Sequence, residues 1–113
     1  FSLHLSDGAD VMLYRMRQED GEPYLTGTWI NADGSTQRLE AKDIALEPLD
    51  TTDVDGRDMP TRWSVKIPGK AVDVTVEALN PHAWMNLQIP YWEGPVQISG
   101  SQKGVGYLEM TGY

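Results

Sequence analysis

The stretch from Tyr91 to Tyr113 places the tightest limit on the fold. Tyr91–Gly100 reads YWEGPVQISG, and after Ser-Gln-Lys the chain continues as GVGYLEMTGY over Gly104–Tyr113. Alternation sets Trp92, Gly94, Val96 and Ile98 on one side of the first run, and Val105, Tyr107, Glu109, Thr111 and Tyr113 on one side of the second. Two runs of period two joined by a short polar connection predict a β-hairpin. Glycines at 94, 104, 106 and 112 strip side chains from inside the strands. A flat strand gains nothing from that, whereas a strongly coiled one, or one closely approached by another backbone, does. The closing hairpin therefore predicts a sheet that rolls up.

The rest of the chain supplies more hairpins. Phe1, Leu3 and Leu5 alternate with Ser2, His4 and Ser6, and Ser-Asp-Gly-Ala-Asp turns the chain into Val11–Arg17. There Met12, Tyr14 and Met16 share one face and Val11 and Leu13 the other, so this strand is expected in the middle of a sheet. Turn chemistry at 18–23 and 31–35 separates Tyr24–Asn31 from Thr36–Glu40. Asp43–Leu49 reads as a further strand or one helical turn, and 50–60, DTTDVDGRDMP, as a long acidic loop. Thr61–Ile67 and Ala71–Leu79 are clear strands, joined tightly by Pro68-Gly69-Lys70, and Trp84–Pro90 is ambiguous. No amphipathic helix of useful length emerges. Many short strands between Gly, Asp, Asn and Pro turns predict a single all-β domain over 1–113, an antiparallel up-and-down β-barrel, closed or partly open, with little or no helix.

Charge and composition narrow the partners. Seventeen acidic against nine basic residues give a net charge of −8, which repels phosphate backbones, so nucleic acid is not an expected partner. No apolar run approaches the length of a transmembrane segment. There is no cysteine, which removes thiol chemistry and leaves the compartment open. Phe1 falls in mid-strand without an initiator methionine, so a longer polypeptide is expected.

Candidate chemistry is sparse. Asp53, Asp55 and Asp58 around Gly56 invite calcium, but an EF-hand register would place Arg62 where a bidentate acid belongs. No metal site is expected, and no cofactor, since the glycine pairs lack the strand-then-helix setting of a phosphate loop. His4 and His82 are the only histidines; His4 is a weak acid or base candidate on the Ser2 and Ser6 face. Glu93 and Glu109 fall on the two strands of the last hairpin, where they can approach one another as acid/base pairs do or simply face solvent. Aromatic residues are the remaining signal. Tyr14, Trp29, Trp92 and Tyr107 are candidates for the wall of a pocket holding a hydrophobic small molecule, with methionines 12, 16 and 85 adding adaptable surface, and plain core packing is the competing reading.

The closing YWEGPVQISG and GVGYLEMTGY, with the opening FSLHLSDGADVMLYRMRQEDG, resemble the AttH-like and carotenoid 1,2-hydratase-like family of lipocalin-like proteins, across Phe1–Tyr113. The resemblance implies a bacterial protein, periplasmic or secreted, of two successive lipocalin-like domains with a hydrophobic pocket near their junction. This chain would be the C-terminal one, and an upstream sister domain its partner. It also implies hydratase or cyclase chemistry on an alkene, with the catalytic acid supplied from upstream of Phe1 or from Glu93 or Glu109, so that this domain alone is inactive. Three hypotheses stand: a binding module for an isoprenoid- or lipid-like molecule, part of a hydratase-type active site, and a structural partner domain. A barrel interior filled by Trp and Val side chains would favour the third.

Overall fold

The computed structural model describes residues 1–113. Ten strands form one antiparallel sheet: β1 (Ser2–Leu5), β2 (Asp10–Met16), β3 (Tyr24–Ile30), β4 (Thr36–Leu39), β5 (Ala45–Val54), β6 (Arg57–Ile67), β7 (Val72–Ala78), β8 (Trp84–Met85), β9 (Tyr91–Gly100) and β10 (Gly104–Met110). Single turns of 3-10 helix at Ala41–Asp43 and Pro68–Lys70 are the only helix. The strand order is β4-β3-β2-β1-β10-β9-β7-β6-β5, with β8 paired to β9. The chain meanders up and down, the first strand pairs with the last, and the sheet is left open between β4 and β5. The all-β, partly open antiparallel barrel expected from the hairpin pattern is what forms, as the lipocalin-like resemblance also implied.

The inner face of the rolled sheet is one continuous cluster of 23 buried apolar residues. Leu3, Leu5, Val11, Leu13, Trp63, Val65, Ile67, Val74, Val76, Trp92, Val96 and Ile98 alternate inward along their strands as period two requires. Trp92 is 0 % exposed, and its ring lies along β9 over the space a side chain at Gly94 would fill. Its indole N–H donates to the Pro81 carbonyl at 2.8 Å. Trp63 donates to the Pro60 carbonyl at 2.9 Å, so both buried indoles are satisfied. Trp29 is buried on β3, with Lys70 from the β6–β7 turn over its ring at 5.3 Å. The interior is thus packed with side chains.

One local reading is corrected by the structure. Residues 50–60 are a tight hairpin, not a loop: β5 runs to Val54 and β6 starts at Arg57. The turn is Asp55-Gly56, both with positive φ (52° and 77°), the backbone of a type I′ connection that Asp-Gly favours. Asp53 serves that turn by accepting from the Gly56 N–H at 3.0 Å. β2 does lie inside the sheet, yet its outer face is uncovered, with Tyr14 57 % and Met16 64 % exposed.

Trp92 is therefore expected to act through packing. Trp92→Ala should lower the unfolding free energy by about 3–5 kcal/mol in a denaturant titration. An unchanged midpoint would show that β9 does not anchor the core.

Candidate functional site

The site grows out of a mismatch in strand length. β1 separates β2 from β10 only as far as its own residues reach: Ser2 faces Met12 on one side and Tyr107 on the other. Past Phe1, β2 continues to Met16 and β10 to Met110 with no strand between them. Two strands held on either side of a third stand at twice the usual spacing, about 9.6 Å. The result is a groove of about 680 Å³.

Its walls come from both faces of the sheet. Leu13, Trp63, Leu108 and Met110 contribute from the core side, and Met12, Tyr14, Met16, Tyr24 and Tyr107 from the outer side. Phe1 closes one end, its ring meeting Trp63 edge-on at 5.2 Å. At the other end Arg17 lies 3.6 Å over the Tyr113 ring and donates to the Thr111 carbonyl at 3.0 Å. Arg15 projects from the inward parity of β2 and stacks on Trp63 at 5.5 Å; its Nε is buried with no acceptor. The groove is apolar, aromatic and edged by two guanidinium groups.

Glu109 lines the groove and faces Glu93 directly across the β9–β10 ladder. Tyr107 donates its hydroxyl to Glu93 at 3.1 Å. The pKa of Tyr91 is raised, chiefly by its hydrogen bond with Glu93. That of Tyr107 is raised first by loss of hydration and then by the bond with Glu93. Both tyrosines thus hold their protons more tightly, and Glu93 accepts from Tyr107. His4 sits on the outer face opposite Asp10, with Nδ1 2.6 Å from a carboxylate oxygen and both side chains well exposed. No cluster of three or more histidine and acidic side chains is placed to hold a metal ion.

Of the residues singled out by sequence, Tyr14, Tyr107 and Glu109 come together at the groove, and Glu93 lies one strand further on. Trp29 and Trp92 do not reach it and belong to the packed core. His4 is outside it. Arg15, Arg17, Phe1 and Tyr113 are groove residues that the sequence reading passed over, and Trp63, one of its aromatic signals, joins them. Arg15 carried a signal: it follows Val11 and Leu13 at the same parity, a charge where the pattern calls for a buried side chain.

The profile of the AttH-like family matches residues 1–113 without a gap in coverage. The chain belongs to the AttH-like family. Among solved structures, this AttH-like chain is similar to a Nitrosomonas europaea protein assigned to AttH, at 23 % identity and a TM-score of 0.83 over 99 % of its length. It is also similar to kievitone hydratase from Nectria haematococca, at 19 % identity and a TM-score of 0.80 over 98 % of its length. At such identities the likeness establishes the fold. The AttH-like chain spans 37 % of the length of each of those two chains. No curated protein matches its sequence.

Proposed function

We propose that this AttH-like chain forms one wall of a site for a hydrophobic small molecule, isoprenoid- or lipid-like, whose remaining walls come from further polypeptide of the same protein. The observation that carries the reading is the groove rim: Tyr14, Met16, Tyr24 and Tyr107 stand exposed around an apolar cleft that reaches Leu13, Trp63, Leu108 and Met110 on the core side. Exposed aromatic and methionine side chains gathered in one place mark surfaces that bind. The −8 net charge disfavours anionic membranes and nucleic acid as alternatives.

The fold is shared with a hydratase, which supports hydratase-type chemistry on an alkene for the whole protein. In that chemistry an acid protonates the double bond and water captures the cation. Glu109 is the carboxylate of this chain that lines the groove, and Glu93 accepts a hydrogen bond from Tyr107. With neither in a water-poor cavity, the acid comes from elsewhere and the chain alone is inactive. A purely structural partner domain is the second reading, and the interior filled by Trp63, Trp92 and valines favours it.

The two readings differ in one measurement. Replacing both Tyr14→Ala and Tyr107→Ala should weaken binding of the fluorescent probe anilinonaphthalene sulfonate about tenfold, with little change in melting temperature because both rings are half-exposed. Equal probe affinity in variant and parent would remove the binding wall and leave the structural role.

A further inference from the structure

The backbone around the groove is as informative as its side chains. Phe1 and Leu13 exchange both ladder hydrogen bonds, at 2.8 and 2.9 Å. On the other side Ser6 N–H donates to the Lys103 carbonyl at 2.8 Å. These bonds fix which residues of β2 and β10 turn their peptide groups toward β1, because in an antiparallel ladder every second residue does so. Beyond Phe1 the next such residues are Arg15 on β2, Glu109 on β10 and Thr111 just past the end of β10. β2 and β10 do not pair with each other. Of these peptide groups only the Thr111 carbonyl is engaged, by the Arg17 guanidinium.

We propose that the groove is a slot one strand wide, and that its occupant is polypeptide joined to Phe1, which continues β1 between β2 and β10. The residue immediately before Phe1 exchanges hydrogen bonds with Glu109 and points outward beside Tyr14. The residue before that one exchanges with Arg15 and points inward over Trp63. There it meets the buried Arg15 Nε, which has no acceptor, so a carboxylate or amide side chain fits that place. One residue further back, the strand takes over the Thr111 carbonyl and releases Arg17. The matched structures carry chain well beyond the part this domain covers, enough to supply such a strand.

An extended peptide suits the floor of the groove better than a small apolar molecule does. A molecule that expels water there strands the peptide groups of Arg15, Glu109 and Thr111, whereas a strand pairs them. The inference goes beyond the binding-wall reading: the strand takes the floor, and Tyr14, Met16, Tyr24 and Tyr107 remain around the rim.

The test lengthens the chain upstream of Phe1 by about six residues that alternate Thr and Val, with Asp at the second place before Phe1, a length set by strand rise. The control carries an extension of the same length alternating Pro and Gly, which cannot build a ladder. Amide hydrogen exchange at Arg15, Glu109 and Thr111 is then followed by NMR. The expected result is exchange slowed by at least about tenfold in the Thr-Val chain relative to the control. Equal exchange in the two chains overturns the slot. Probe binding measured in parallel separates this inference from the binding wall: protected amides without probe binding leave the slot standing and remove the wall, and probe binding with unprotected amides does the reverse.

Discussion

The molecule depends on the close approach of its first strand to its last. β1 packs against β10 where Gly104 and Gly106 stand opposite Leu5 and Leu3. A Cβ on Gly106 would meet the Ser2 carbonyl at 2.5 Å and the Leu3 side chain at 2.9 Å, and one on Gly104 would run into the His4 carbonyl. No other residue type fits there without moving backbone. That contact joins two halves that would otherwise be separate meanders, β2 to β4 on one side and β5 to β9 on the other. It also holds β2 and β10 apart by one strand, from which the groove follows. Fold and candidate site therefore share a cause.

The division of labour between the two faces of the sheet follows from filling the interior. Trp63 and Trp92 place their rings inside the roll and donate their N–H groups to carbonyls of Pro60 and Pro81, so neither of these two donors is stranded. The aromatic and sulfur-containing side chains left exposed, Tyr14, Met16, Tyr24 and Tyr107, surround the break in the sheet.

Much of this was written plainly in the chain. Inward alternation of Trp63-Val65-Ile67, Val72-Val74-Val76 and Trp92-Gly94-Val96-Ile98 is legible because period two is a local property, and the burial of every one of those side chains or glycine positions agrees with it. The hairpin at Asp55-Gly56 was legible too, and was hidden only by the acidic residues around it: Asp50, Asp53, Asp55 and Asp58 look like a loop until the dipeptide that turns the chain is given its due. Facing among the aromatics is less accessible. Trp29 and Tyr14 are equally suited to a pocket by residue type, and only the curl of the whole sheet decides that one is core and the other rim. The groove itself lies beyond Phe1 between β2 and β10, a relation between strands distant in sequence that no local pattern carries. Membership of the AttH-like family, by contrast, was readable from the two ends of the chain.

The opening between β4 and β5 bears on how these molecules behave in company. β4 is only four residues long, with Thr36, Gln37 and Arg38 in solvent, and β5 carries Pro48 and two register shifts around Asp50. Short, polar, kinked or proline-bearing margins are poor templates for a neighbour's backbone. Such selvedges disfavour edge-to-edge pairing although the roll never closes.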